Sequence, residues 1–387
     1  MPTSHLLPKP VSWSKDPIWV EIESDNISGG EATEPNLSLY MLINKNNQFH
    51  TEFNSPYDLN TAKTDFDLSG VIGLQPEAPA DGSMATFSQG ICEKVTAMME
   101  LRYNDMYGNP VVKPSLLALN TGYIIIYGHT PYWFGNGLTG ASTLLHSYYD
   151  MKGYTVFKEL RKSQPEYVYL YSHDGASISM AVDVIYTDGS STFAAGGTLT
   201  CQAGKVSWVN VGWDARGMDN IADPAKVVSS YTARFTIGGN DYTINYALDD
   251  HDTEYDEYIL YDNGIGGCEV LRCSGRHTIG VQVDKQYTAN ARSRGSNYRD
   301  GFAHAYNVMG GEVWEMNTGW QNEFYIRHLG QLFLAERVWY MDRHRDKFVS
   351  VTVRQTSKTL VDKESGLHSI DFTMTFDDRP AIGTFKI

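Results

Sequence analysis

The feature that most constrains this chain is a two-residue rhythm in its apolar positions. Val95, Ala97, Met99, Leu101 and Tyr103 alternate with Thr96, Met98, Glu100 and Arg102, and the run stops at MYGNP, a turn by composition. Period two sends successive side chains to opposite faces of an extended strand. Residues 18–23 (IWVEIE) and 37–42 (LSLYML) read the same way, while GYIIIY at 122–127 is apolar on both faces, as a buried strand is. Helical periodicity is scarce. The expected fold is mainly β: several domains built as tandem antiparallel sandwich-like or barrel-like modules.

A length of 387 residues is enough for two or three such modules, each with its own core. The first is expected over 1–163, ending in the aromatic-rich excursion TPYWFGNGLTGASTLLHSYYD. The second, 164–275, reads as strand, turn, strand. VDVIY–TDG–STF and TARFTI–GGND–YTINYAL are its hairpin signals, because Gly and Asp supply the positive-φ positions of tight turns. The third, 276–387, is mixed. Phe324, Tyr325, Leu329, Leu332 and Phe333 recur at helical spacing and predict one amphipathic helix. Gly330 weakens it by up to about 1 kcal/mol relative to Ala. KFVSVTVRQTS and LHSIDFTMTFDD then predict a closing hairpin.

The stretch EYILYDNGIGGCEVLRCSG, Glu257 to Gly275, tests for a nucleotide site and fails. A dinucleotide fingerprint needs a third glycine where Glu269 stands, and a helix to receive the pyrophosphate. The residues beyond the glycines form a short β-like run instead, and no Gly-Lys-Ser/Thr is present. Gly264, Gly266 and Gly267 are therefore expected to turn the chain between strands, at the end of the middle module, and to bind no phosphate.

Other chemistries find little support. The net charge of −15 argues against gripping nucleic acid, whose affinity rests on Lys and Arg at phosphates. Cys92, Cys201, Cys268 and Cys273 form no CxxC pair. On one continuous strand Cys268 and Cys273 face opposite ways, so free thiols are expected. The histidines are scattered without HExxH, and no G-x-S-x-G nucleophile elbow occurs. In LDDHDTEYDEY, Asp250, Asp252, Glu254 and Asp256 would share a face and could hold Ca²⁺, but the EF-hand spacing is missing. The cluster Asp249 to Glu257 is expected to be exposed and metal-free. Arg292, Arg294 and Arg299 lie in a Gly/Ser/Asn-rich loop that could meet nucleic acid or, by preference, an acidic neighbour. No catalytic, cofactor-binding or metal-binding residue is assigned, and no cofactor is expected.

No apolar run approaches a membrane span, and MPTSHLLPKPVSW has prolines where a secretory signal needs a continuous apolar stretch. The expected site of synthesis is therefore a cytoplasm. The 25 Tyr and 8 Trp are the compositional oddity, many of them in expected loops such as PYWFGNG and MGGEVWEMNTGW. Large amphipathic rings suit contact surfaces or sugar-binding grooves.

The order of features resembles virion tail proteins of phages that infect gut Bacteroidetes, including the crAss-like phages. WSKDPIWVEI leads, YDNGIGGCEV closes a middle β module, and NTGWQNEFYIRHLGQLFLAERVWY, KFVSVTV and LHSIDFTMTFDD end the chain. The YWFGNGLTGASTLL insertion and the acidic DDHDTEYDE depart from that pattern. The resemblance implies a structural virion protein, not an enzyme: a homo-oligomeric ring of six or twelve copies in a tail or neck-to-tail position. Its partners would be other tail, portal or neck proteins. DNA would pass through an acidic lumen without specific binding, and no membrane would be engaged. The alternative is a carbohydrate-binding or glycan-degrading β-sandwich protein.

Overall fold

The computed structural model describes residues 2–6, 11–13, 15–16, 19–24, 38–45, 48–56, 63–67, 88–89, 93–94, 96–104, 109–117, 124–126, 129, 142–146, 157–173, 175, 177–201, 203–237, 239–249, 255–289, 303–321, 323–342, 347–354 and 368–376. The chain is mainly β, with one short α-helix towards its C-terminus. It divides into two compact units. The first comprises Met1–Pro79, Met84–Asp249 and Asp262–Glu269; the second comprises Ala80–Ser83, Asp250–Tyr261 and Val270–Ile387. Residues on either side of 163 thus fall in the first unit, and those on either side of 275 in the second.

The first unit opens with β1 (Pro2–Leu6), β2 (Val11–Trp13), β3 (Trp19–Ser24), β4 (Ser38–Lys45), β5 (Gln48–Pro56) and β6 (Lys63–Asp67). Next come β7 (Ser88–Gln89), β8 (Glu93–Lys94), β9 (Thr96–Asn104), β10 (Pro110–Leu117), β11 (Ile124–Ile126) and β12 (Thr143–Leu144). Strands β3, β4 and β9 coincide closely with the alternating runs read from the sequence at 18–23, 37–42 and 95–103. These strands assemble as β1-β3-β6, β10-β9-β4-β5 and β2-β11-β8.

The rest of this unit is built from β13 (Phe157–Leu160), β14 (Tyr167–Ser172), β15 (Ser177–Tyr186), β16 (Ser191–Thr200), β17 (Lys205–Asn210), β18 (Val228–Ile237) and β19 (Asn240–Leu248). Two sheets result, β12-β14-β17-β7 and β13-β19-β18-β15-β16. Both hairpin signals are realised. Ile237 pairs with Asn240 across a two-residue turn in which Gly239 has φ 82°, and Ile185 pairs with Ser191 around Gly189 at φ 80°. Among the described strands pairing is mostly antiparallel; β13 with β19 and β11 with β2 run parallel and join strands far apart in sequence.

The second unit carries β20 (Glu257–Asp262) except its last residue, β21 (Cys268–Cys273) from Val270 on, β22 (Thr278–Ala289), β23 (Ala303–Asn317), α1 (Glu323–His328), β24 (Val338–Asp342), β25 (Lys347–Arg354) and β26 (Asp371–Phe376). The strands form one seven-stranded sheet in the order β21-β20-β24-β25-β26-β23-β22. The expected closing hairpin is the antiparallel pair β25 and β26. EYILYD, expected to end the middle module, instead pairs with β24 in this sheet.

The expected helix is shorter than its pattern. It spans six residues and passes into a 3-10 turn at Leu329–Phe333, with Gly330 inside it; VWYMD is already strand β24. Tyr325, Ile326, Leu329 and Leu332 are buried along it. Each large apolar side chain removed from water in this way contributes roughly 1.5–3 kcal/mol. Among the described residues no helix is long and apolar enough to cross a membrane.

Candidate functional site

The densest buried chemistry lies in the first unit and begins with an inverted strand. β13 reads Phe-Lys-Glu-Leu, and the pattern is exposed, buried, exposed, buried. Lys158 and Leu160 therefore face the interior, while Phe157 lies outward. Either face of this strand carries one apolar and one charged residue, and burying Lys158 while Phe157 is exposed breaks the usual patterning, which sequences do chiefly at special positions. Parallel pairing with β19 holds the inversion, setting Lys158 opposite Tyr246 and Leu160 opposite Leu248.

Lys158 is 2% exposed and its partner Glu166 is 0% exposed. Nζ donates to both carboxylate oxygens of Glu166, at 2.7 and 2.8 Å. His146, also fully buried, places Nε2 3.4 Å from Glu166 Oε1. Glu166 is held at both ends of its own backbone. Its N–H donates to Asn210 Oδ1 at 3.1 Å, and its carbonyl accepts from Val211 N at 2.7 Å. Asn210 Oδ1 also accepts from Gly212 N. A Cβ at Gly212 would stand 2.5 Å from the Gln164 carbonyl, so only glycine allows this approach.

Aromatic rings enclose the group. Tyr231 stacks on Tyr246 with centroids 4.9 Å apart, and Trp213 meets Tyr231 edge-on at 5.7 Å. Tyr231 donates its hydroxyl to the Val211 carbonyl. The Tyr246 hydroxyl is buried and has no hydrogen-bond partner among the described residues. Burial, with the Glu166 charge adding, holds both phenols well above their ordinary pKa, so both remain O–H donors. A buried ion pair stripped of water is costly unless its geometry is excellent. This one is chelated on both oxygens, but it is closed to any external substrate. No sequence motif singles out Lys158, Glu166 or His146. The residues between Phe157 and Leu160, Lys158 and Glu159, read as an ordinary charged pair in a strand-like run.

The glycine stretch turns the chain between β20 and β21. Asn263 organises the turn: its Oδ1 accepts from Ile265 N and Gly267 N, and its Nδ2 donates to Leu145 O and Glu269 Oε1. Gly264 and Gly266 take φ of 68° and 107°. Gly267 has no room for a side chain, since a Cβ would lie 2.5 Å from the Leu145 carbonyl and 2.8 Å from Tyr169 Cβ. The turn's own carbonyls are occupied too: Gly264 accepts from His129 N and Ile265 from Trp13 Nε1.

Of the acidic cluster, Asp250, Asp252 and Glu254 lie outside the described residues. Its described end corrects the expectation of full exposure. Asp256 and Glu257 are half-buried: Asp256 pairs with Arg272 at 2.9 Å, its side chain 8% exposed, and Glu257 accepts from the Tyr340 hydroxyl at 2.9 Å. Opposite charge and a hydroxyl donor draw these carboxylates inward. Among the described residues no group of three His, Cys, Asp or Glu could hold a metal. Arg292, Arg294, Arg299, Cys92 and PYWFGNG lie outside the described residues. Cys201, Cys268 and Cys273 are buried and form no disulfide among the described residues. Burial pushes the Cys273 thiol far up, with the charges of Glu257 and Asp256 adding.

The aromatic richness serves the core more than expected. Trp13, Trp213, Tyr167, Tyr171, Tyr258 and Tyr261 are among the largest fully buried side chains. Trp314 stacks on His277, whereas Trp320 is 65% exposed. A depression of about 510 Å³ in the second unit is lined by Arg276, Thr278, Glu315 and Asp371, a mixed-sign rim open to solvent.

No family model matches the chain, and no curated protein matches it. Solved structures offer faint likenesses. A Salmonella alpha-2-macroglobulin mutant aligns over 81% of this chain and 22% of its own, with 9% identity and a TM-score of 0.21. Dimeric latent PorU from Porphyromonas gingivalis aligns over 80% and 30%, with 8% identity and a TM-score of 0.20. Domains 1–6 of the surface layer protein SbsC align over 91% and 53%, with 10% identity and a TM-score of 0.19. The chain spans less than two thirds of each of these proteins. Likenesses this slight carry no function.

Proposed function

We propose that this chain is a structural subunit of a bacteriophage virion, repeated around the DNA channel in a tail or neck-to-tail ring. The observation that carries the reading is a pair of unlike sheet edges, open among the described strands. β16 ends the five-stranded sheet with Phe193 62% exposed, and β22 ends the seven-stranded sheet with Ile279 and Val281 exposed on one face. An open edge presents unpaired N–H and C=O groups to another chain. A ring needs two different surfaces that meet head to tail and close. Two unlike edges on one chain can serve as such a pair, and the opposite edge of the second sheet, β21, is buried throughout.

The densest buried polar cluster points the same way, since it is sealed from any outside substrate. The net charge of −15 suits a wall that DNA passes without sticking, because repulsion reaches about 8–10 Å at moderate salt. Six or twelve copies, with neighbouring tail, portal or neck proteins above and below, complete the reading.

Cryo-electron microscopy of the assembled particle tests it. Multiple copies about one axis, with β16 or β22 at the subunit contacts, are expected; a single copy per particle, or a lumen lined by Lys and Arg, overturns it. Phe193→Lys together with Val281→Lys is expected to abolish incorporation while leaving the thermal midpoint of the isolated chain unchanged.

A further inference from the structure

We propose that Lys158 and Glu166 condense into an intramolecular amide, a covalent staple between two sheets of the first unit. Lys158 lies on β13 of the five-stranded sheet, and Glu166 immediately precedes β14 of the four-stranded sheet. The inference stands on the cluster itself and does not depend on the reading of the chain as a virion subunit.

Three observations carry it. The first is approach. With Nζ at 2.7 and 2.8 Å from the two oxygens, the carboxyl carbon lies about 3 Å from the nitrogen, within the contact of a near-attack arrangement. Both groups are fixed, Lys158 by the β13–β19 ladder and Glu166 by hydrogen bonds at its N–H and C=O. The second is environment. Two opposite charges are held where water is excluded, and condensation removes both charges together with their desolvation penalty. The third is a proton carrier beside the reacting group: His146 Nε2 lies 3.4 Å from Oε1.

The step balances without an oxidant. The Lys158 ammonium gives one proton to the Glu166 carboxylate, leaving an amine and a carboxylic acid. The amine lone pair forms the Nζ–Cδ bond, giving a tetrahedral adduct. A second nitrogen proton passes by way of His146 to the departing Oε1, the Cδ–Oε1 bond breaks, and water leaves. One neutral amide N–H remains.

Mass spectrometry of the purified full chain, denatured before injection, decides the matter. The expected mass is lower than that of the sequence by one water. Tryptic mapping is expected to show no cleavage after Lys158 and one species in which residues 158 and 166 are joined. Lys158→Arg keeps the cation but lacks an amine that can condense, and its expected mass is that of its full sequence. A wild-type chain of full sequence mass, cleaved normally at Lys158, overturns the proposal and leaves an ion pair only. So does a water loss that maps elsewhere or persists in Lys158→Arg.

Discussion

Lys158 and Lys162 stand four residues apart and both pair with a carboxylate, yet they inhabit different solvents. Lys158 meets Glu166 at 2.7 Å with both side chains out of contact with water. Lys162 meets Asp219 at 3.1 Å with its side chain 44% exposed, its ammonium also lying 5.2 Å from the centre of the Trp213 ring. In water the second pair trades solvent contacts for a weak, screened attraction. In the core the first pair has no solvent to return to, so removal of either partner strands a charge. The same contrast recurs in two turns organised by an Asx side chain. Asn263 is buried and uses both ends of its amide, whereas Asp188 caps the β15–β16 turn in the open.

The sharpest way to break the comparison is the same substitution at both lysines. Lys158→Met is expected to cost at least about 3–5 kcal/mol, because it leaves the Glu166 carboxylate buried with neither an ammonium beside it nor an amide in its place. Urea unfolding measures this, and a loss below about 1 kcal/mol would place the pair in effective contact with water.

Next in size is Asn263→Ala. It strands the Leu145 carbonyl and the N–H groups of Ile265 and Gly267, at an expected cost of about 2–3 kcal/mol. Faster amide exchange at Gly267 should accompany the loss. Lys162→Met is expected to change stability by less than about 1 kcal/mol, and the change should vanish in high salt. An unscreened effect would tie it to the Trp213 ring instead.

The smallest effect belongs to Asp188. Its carboxyl is held down from 3.8 to about 2, first by the Ser190 hydroxyl, then by the Ser190 N–H, with Lys226 adding. A depressed carboxylate contributes stability that is present above its unfolded value and lost as pH falls through about 2. The difference in thermal midpoint between wild type and Asp188→Asn should therefore be level above about pH 4 and shrink towards about pH 2.

The turns were legible because their chemistry is local. GGND and TDG place positive-φ residues between alternating runs, and the Asn-Gly of YDNGIGG announces its own bend. The sealed cluster was not legible. His146, Lys158 and Glu166 carry no mutual spacing, and Lys158 next to Glu159 reads as a solvated position. The helix was half legible: Tyr325, Leu329 and Leu332 are buried as their spacing implies, but β24 takes the residues beyond, since VWYMD pairs with both β20 and β25.

By itself the sequence determined that this chain is built of strands, where many of them turn, and that Cys268 and Cys273 do not bridge to each other. Those properties follow from side-chain alternation, glycine dihedrals and the reach of a disulfide, all settled within a few residues. Tertiary structure decided which face of β13 is inside, which strands run parallel, and which carboxylate meets which base. These depend on partners far away in sequence, as in the pairing of Ile124 with Val11 and of Lys158 with Tyr246, and on burial, which turns a weak surface attraction into a commitment of the whole core.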